Sequence, residues 1–182
     1  VQGNQIDGNR ARLAGGGIAV IGRSQVRIEH NLIVGNSLAE PGTGGGVHWL
    51  IAPGGSGPVL VGNTIADNHA LRGSAVHADG DDGMAQVVNN LILGGIGASA
   101  LDCGDFYDGL PPIVLGNNIV GGRGGLCLGR PGAADGNLAA MPHFEPGTWR
   151  LAPGSPGIDA GFARFAGAKT DADGAPRLAD GD

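Results

Sequence analysis

Three side chains with acid–base or metal-binding potential occupy the same place in successive segments of the chain. His48, His77 and Asp102 each follow an aliphatic residue, as Ala19 does in an earlier segment. If these segments are stacked strands, alternation points the aliphatic residues inward and the row His48, His77, Asp102 outward. Two imidazoles and a carboxylate about 5 Å apart could bind a metal or act as general acid and base on a sugar. The alternative interpretation is a solvent-exposed row of polar side chains.

Acidic residues follow His77 closely, in the run Asp79-Gly80-Asp81-Asp82-Gly83. We interpret this run as a loop on the same flank as His77, and calcium takes several oxygen ligands from such loops. The run lacks the distal Glu of a twelve-residue calcium hand. The predicted ligand-binding residues are His48, His77 and Asp79. The candidate calcium ligands are Asp79, Asp81 and Asp82, and no other cofactor is expected.

A repeat of the pattern Asn-x-Ile predicts how these residues are positioned. The intervals between successive copies are 27, 32, 27 and 27 residues. A fixed period of this size is typical of a coil that repeats once per turn. The pattern occurs at Asn4 and Ile6, Asn31 and Ile33, Asn63 and Ile65, Asn90 and Ile92, and Asn117 and Ile119.

Short β-branched runs bounded by Gly and Asn lie before each Asn, and no window shows a helical stripe. The sequence therefore predicts an all-β fold, a parallel β-helix (solenoid) with about five turns of roughly 27 residues. Stacked Ile residues would form an apolar ladder inside the coil. Stacked Asn residues would form an amide ladder at a corner, where Asn tolerates the left-handed backbone. We place the repeats in residues 1–136 and a C-terminal cap of the same domain in residues 137–182.

Composition excludes several classes of protein. The chain has 38 Gly and 11 Pro in 182 residues, but its period and its 41% hydrophobic content argue against disorder. A net charge of −6 with scattered Arg and Lys does not suit a nucleic-acid partner. No apolar stretch reaches the roughly 20 residues of a transmembrane helix, and no signal peptide is visible. Because the chain starts inside a repeat, we expect it to lack N-terminal turns.

The two cysteines, Cys103 and Cys127, are 24 residues apart, which is close to one turn of the coil. A disulfide between adjacent turns is therefore plausible, and two buried thiols are the alternative. The phase of the repeat complicates the pairing, since stacking Leu101 on Leu126 would place Cys103 on Leu128.

The C-terminal residues carry a family resemblance. Residues 151–161 contain Pro-Gly-Ser-Pro-Gly-Ile-Asp-Ala-Gly, and residues 170–177 read Thr-Asp-Ala-Asp-Gly-Ala-Pro-Arg. These segments resemble bacterial extracellular right-handed parallel β-helix proteins described as choice-of-anchor Q domain proteins, which implies a right-handed coil. The Gly runs and the Ile-x-x-Asn elements are similar to repeats of chlamydial polymorphic outer membrane proteins. The resemblance implies a secreted or cell-surface location and a pair of cysteines at positions 103 and 127. The family pattern continues with Ile-Gly-Ala where this sequence ends at Asp182, so surface attachment is an expectation only.

Two functions remain open from the sequence. The first is a non-catalytic extracellular or cell-surface module, adhesive, structural or glycan-binding, whose partner is a polysaccharide or a cell-surface component. The second is a polysaccharide lyase, hydrolase or epimerase acting through the outward row His48, His77, Asp102. The chain has Asp81-Asp82 but no Gly-His-Gly of polygalacturonase-like enzymes, and Met141-Pro142-His143-Phe144 does not match the Asp-Pro-His-Glu of uronan epimerases. We therefore favour the module.

Overall fold

The computed structural model describes residues 1–80, 85–95, 98–104, 113–114, 118–121, 136–165, 170 and 174. Within these residues the chain forms short β-strands and one 3-10 turn, Ala163–Phe165. The strands are β1 (Gln5–Asp7), β2 (Arg10–Ala11), β3 (Ile18–Gly22), β4 (Arg27–Glu29), β5 (Leu32–Val34), β6 (Ser37–Leu38), β7 (Val47–Ile51), β8 (Val59–Val61), β9 (Thr64–Ala66), β10 (Val76–Gly80), β11 (Gln86–Val88), β12 (Leu91–Leu93), β13 (Leu101–Cys103), β14 (Ile113–Val114) and β15 (Ile119–Gly121).

The strands stack in parallel into three main sheets, which confirms the all-β, parallel β-helix prediction. The first sheet has the order β1-β5-β9-β12-β15, the second β3-β7-β10-β13, and the third β4-β8-β11-β14. Strands β2 and β6 form an additional pair. The chain visits the first, second and third sheets once per turn, so each strand pairs with the strand one turn away.

The number of turns differs from the prediction of about five. The structure describes about three turns, β1–β4, β5–β8 and β9–β11. Strands β12 to β15 continue the stack, but residues between them lie outside the described ranges.

The Asn ladder runs along the corner before the first sheet. Each ladder Asn after Asn4 accepts two hydrogen bonds through Oδ1, from the backbone N–H and the side-chain amide of the Asn one turn earlier, at 2.8–3.2 Å. The rungs are Asn4, Asn31, Asn63, Asn90, Asn118 and Asn137. The prediction of Asn117 as a rung is wrong, because Asn118 accepts the bonds from Asn90. Asn117 itself lies outside the described residues.

The Ile ladder shows the same slip of one residue. Ile6, Ile33, Ile65 and Ile92 pair in sequence as predicted, but Ile92 pairs with Val120. The predicted rung Ile119 pairs with Leu91 instead. The sequence Asn117-Asn118-Ile119-Val120 satisfies the Asn-x-aliphatic pattern in two phases, and the fold takes the later one.

At this corner the left-handed backbone belongs to the described residue before a ladder Asn, rather than to the Asn as predicted. Gly3, His30, Gly62 and Asn89 have φ of 66°, 54°, 63° and 55°. Glycine adopts such angles without steric cost, whereas other residues pay for them. The ladder Asn residues are therefore selected for their amide hydrogen bonds.

The hydrophobic core fills the inside of the coil. Val47, Trp49 and Ile51 of β7 point inward, and Trp49 is only 2% exposed. A second apolar cluster lies outside the coil, against the first sheet. It contains Val34, Ala66 and Leu93 with Leu32, Phe144 and Trp149.

The C-terminal segment supplies the outer part of this second cluster. Phe144 and Leu151 form an antiparallel bridge, and the rings of Phe144 and Trp149 meet edge to face at 5.3 Å. Asn137 is still a ladder rung and Leu138 bridges to Ile119, so the stack runs slightly beyond the predicted domain boundary at residue 136. No helix in the described part of the chain is long and apolar enough to span a membrane.

Candidate functional site

The polar row predicted from the sequence exists as a set of paired strand positions in the second sheet. Ala19 of β3 pairs with His48 of β7, His48 with His77 of β10, and His77 with Asp102 of β13. Their neighbours Val47 and Val76 belong to the core, so alternation directs the row away from it. We call His48, His77 and Asp102 the imidazole row.

The two histidines of the imidazole row are buried, whereas the Asp102 side chain is 20% exposed, so the alternative of a solvent-exposed row is wrong for His48 and His77. His48 is 8% exposed and His77 is 3% exposed. Their rings are parallel within 1° and stack with centroids 5.2 Å apart. This spacing follows from the strand separation of about 4.8 Å, because paired residues in a parallel stack lie directly above one another.

The Gly-rich segments before the strands pack closely beside the row. Gly15, Gly44 and Gly73 are left-handed, with φ of 62°, 69° and 56°. A Cβ on Gly44 would lie 2.6 Å from the Cβ of His48. The hydroxyl of Thr43, in the same segment, lies 3.1 Å from His48 Nδ1. The Gly runs recognised in the sequence thus allow backbone to cover the row.

Hydrogen bonds connect the row to charged neighbours. Asp102 Oδ2 lies 2.7 Å from His77 Nδ1 and 3.1 Å from Arg72 Nε. A carboxylate only accepts, so His77 donates through Nδ1–H and a neutral ring then carries its lone pair on Nε2. Asp79 Oδ2 lies 4.0 Å from Nε2, which is beyond hydrogen-bonding distance.

Burial keeps both imidazoles neutral near pH 7. It lowers the pKa of His48 to about 4, and repulsion from a charged His77 contributes in the same direction. Burial also lowers the pKa of His77, although the Asp102 and Asp79 carboxylates act to raise it. His48 and His77 are therefore an uncharged, stacked pair, and the Asp102 carboxylate orients the second ring.

The predicted ligand Asp79 lies close to His77, but in a strand rather than in a loop. Asp79 and Gly80 end β10, and alternation places Asp79 on the same outer face as His77. Asp81 and Asp82 lie outside the described residues, so the predicted calcium site stays a prediction. No group of three or more His, Cys, Asp or Glu side chains within the described ranges is arranged to hold a metal ion.

The structure describes one of the two cysteines of the predicted disulfide. Cys103 ends β13, pairs in register with Ala78 and packs against the core. Its predicted partner Cys127 lies outside the described residues. The pairing stays a prediction.

A second candidate site was missed by the sequence analysis. A cleft of about 310 Å³ separates the corner before the first sheet from the C-terminal segment. Corner residues His30 and Asn89 line one wall, and Asp159, Phe162 and Phe165 line the other. We call it the C-terminal cleft. His30 and Asn89 offered a signal, since they stand where other turns have Gly3 and Gly62.

Comparisons with protein families, with curated proteins and with solved structures found no match to this chain. The fold assignment therefore rests on the strand pairing and the ladders described above.

Proposed function

We propose that the chain is a non-catalytic β-helix module of a secreted or cell-surface protein that contacts polysaccharide or a cell-surface component through its outer surface. The regular stack supports a rigid, binding or structural role. Continuous ladders along the coil tie each turn to the next, which suits a module that presents a fixed surface.

The observation that carries the proposal is the burial of His48 and His77 in the imidazole row. His48 contacts Thr43, His77 contacts Asp102, and both rings are less than 10% exposed. A general acid or base must come within roughly 2.6–3.2 Å of the proton that it transfers. Neutral, stacked rings covered by the Gly-rich segments favour a role in tying neighbouring turns together.

The resemblance of residues 151–161 and 170–177 to choice-of-anchor Q domain proteins supports the finer parts of the proposal. These are a bacterial origin, a secreted or surface location, an adhesin-like role and a disulfide between Cys103 and Cys127. A disulfide would agree with an oxidising compartment.

One contact favours the alternative, a polysaccharide lyase or glycoside hydrolase. The 2.7 Å bond between His77 and Asp102 orients an imidazole whose Nε2 could serve as a base. Arg72, with a half-exposed side chain beside Asp102, could contact an acidic sugar. The alternative requires the covering segments to open, because His77 is almost fully buried.

A glycan array read together with product analysis separates the two functions. The chain is incubated with neutral and acidic polysaccharides, with and without calcium, and the supernatant is assayed for new reducing or unsaturated ends. We expect retention of a glycan and no new ends. New ends that disappear in His77→Ala and Asp102→Asn, but persist in the surface variant Leu71→Ala, would establish the enzyme instead.

Calcium is tested in the same experiment. If Asp79, Asp81 and Asp82 hold the ion, binding or thermal stability should rise with calcium and fall with a chelator. Asp81→Asn should abolish that response, whereas Asp7→Asn, on exposed β1, should retain it. Equal glycan binding and equal thermal stability with and without calcium would show that the chain does not use the ion.

A further inference from the structure

The C-terminal cleft is built from residues far apart in the chain. The corner of the coil supplies His30 and Asn89, the first sheet supplies Thr64, and the C-terminal segment supplies Phe162 and Phe165. Its volume of about 310 Å³ lies at the lower end of the range of roughly 300–1,000 Å³ for small-molecule sites. One sugar unit suits such a volume, with neighbouring units extending into solvent.

Backbone strain is concentrated around this cleft. Among the described residues, four non-glycine residues have positive φ, and three of them line the cleft: His30, Asn89 and Asp159. Their φ values are 54°, 55° and 53°. A left-handed backbone costs free energy for a residue with a Cβ, although Asn and Asp tolerate it best, and such conformations are found at functional sites. At the same corner Gly3 and Gly62 avoid that cost.

Asn89 has a clear positioning role. Its Nδ2 donates to the carbonyl of Phe162 at 3.0 Å, and its Oδ1 accepts from the N–H of Phe162 at 2.9 Å. The two bonds join residues 73 apart in sequence and fix the wall of the cleft that carries Phe162. Arg164 lies 5.6 Å and 4.7 Å from the ring centroids of Phe162 and Phe165 and braces both rings.

The lining chemistry indicates an uncharged ligand with both apolar and hydroxyl surfaces. Phe162 lines the cleft and is 39% exposed, so part of its surface is open to a ligand. Asp159, His30 and Thr64 are the polar side chains that line the cleft with the rings. Asp159 is the charged residue among the described lining residues, while Arg164 stacks on the rings of Phe162 and Phe165, so the lining favours a neutral sugar over an anionic one.

We propose that the C-terminal cleft binds a neutral pyranose unit of a glycan, with the apolar face of the sugar on Phe162 and its hydroxyl groups toward His30, Thr64 and Asp159. The proposal rests on the glycan-binding form of the proposed function and assigns its site and ligand class. The imidazole row takes no part in it, since that row lies in the second sheet.

The test is calorimetric titration with cellotetraose, maltotetraose and mannotetraose, and with tetragalacturonate as the acidic comparator. At least one neutral tetraose should bind, and more tightly than the acidic one. Phe162→Ala should weaken that binding at least tenfold. The matched control is Leu71→Ala, which truncates a side chain that is 68% exposed outside the cleft and should stay within twofold of the unchanged chain.

His30→Gly separates binding from folding. Glycine accepts the left-handed backbone at position 30, so its thermal midpoint should not fall by more than a few degrees, while loss of the imidazole should weaken binding several-fold. Folding of Phe162→Ala is checked by the same melt, and the backbone bonds of Phe162 to Asn89 do not depend on the ring.

Each result decides one point. Equal binding by Phe162→Ala and the unchanged chain would overturn the cleft while leaving the module able to bind glycans elsewhere. Tighter binding of tetragalacturonate would overturn the ligand class. No binding of any of the four sugars would overturn the cleft proposal. The proposed function fails only if the glycan array also shows no binding, or if new reducing or unsaturated ends appear.

Discussion

A histidine pair that is buried and neutral makes the stability of this protein depend on pH. The pKa of His48 is lowered to about 4 in the folded chain from 6.5, so the unfolded chain binds the proton more readily between these values. The stability that the buried, neutral His48 contributes is fully present above about pH 6.5 and is lost as the pH falls toward 4. His77 is shifted in the same direction.

We predict that His48→Gln flattens this dependence. A shift from 6.5 to about 4 corresponds to on the order of 3 kcal/mol of unfolding free energy. Urea unfolding at pH 7.5 and pH 5 should show the unchanged chain losing much of this amount, and His48→Gln losing clearly less. The matched control, His69→Gln at an exposed position, should keep the original slope. Equal slopes for His48→Gln and the unchanged chain would contradict a desolvated ring.

Glycine beside the imidazole row is required by space as well as by φ. A Cβ on Gly44 would lie 2.5 Å from the carbonyl oxygen of Val47, whereas a Cβ on Gly54 would meet only Arg23 at 4.0 Å. Both residues are left-handed, with φ of 69° and 77°. Comparing their Ala variants therefore isolates the effect of close packing.

We predict that Gly44→Ala lowers the unfolding free energy by more than about 2 kcal/mol and Gly54→Ala by about 1 kcal/mol. Chemical denaturation at pH 7.5 measures both. A loss no greater in Gly44→Ala than in Gly54→Ala would show that the covering segment does not pack against the row as described.

At the scale of elements, the Asn ladder holds the corner before the first sheet. Asn63 is 1% exposed. Its Oδ1 accepts from the backbone and the side chain of Asn31, and its Nδ2 donates to Ile28 and Asn90. Removing this side chain takes the acceptor from the Asn31 backbone N–H and removes one bond each from Asn31 Nδ2, the Ile28 carbonyl and Asn90 Oδ1. A buried polar group that loses its partner costs about 1–3 kcal/mol.

We predict that Asn63→Ala destabilises the chain by at least about 3 kcal/mol, while Asn4→Ala costs less than about 1 kcal/mol. Asn4 is the matched control because it is an exposed rung whose Oδ1 accepts from no earlier turn in the structure. Urea midpoints compare the two. Similar losses would mean that the amide ladder does not depend on burial.

The sequence could predict these elements because the ladder residues repeat at a fixed period. The register of Ala19, His48, His77 and Asp102 also follows from counting after each run of small residues. The last rung could not be predicted, because two adjacent Asn residues followed by Ile and Val allow two phases. Hydrogen bonding to Asn90 selects the second phase through Asn118.

At the scale of the whole molecule, the C-terminal segment packs against the outside of the coil, and the C-terminal cleft lies between the two. Burial of the imidazole row and the position of the cleft could not be predicted from local patterns. The first depends on which segment packs over an outer face, and the second joins Asn89 to Phe162 across 73 residues. Periodicity carries no information about either contact.

We predict that Asn89→Gly loosens this segment without disturbing the coil. Glycine accepts the left-handed backbone at position 89 but cannot make the two bonds to Phe162. Hydrogen exchange should show the amide of Phe162 losing protection, while the amides of β12 keep theirs. Unchanged protection at Phe162 would show that other contacts hold the segment.

Native mass spectrometry of the chain incubated with cello-, malto- and mannotetraose tests the central claim most directly, since it reports the complex and the mass of the sugar together. The account predicts a one-to-one complex with at least one tetraose, and every tetraose recovered at its starting mass. Shortened or unsaturated sugars would contradict a non-catalytic module. A spectrum that shows only uncomplexed chain and intact sugars would contradict binding in the cleft.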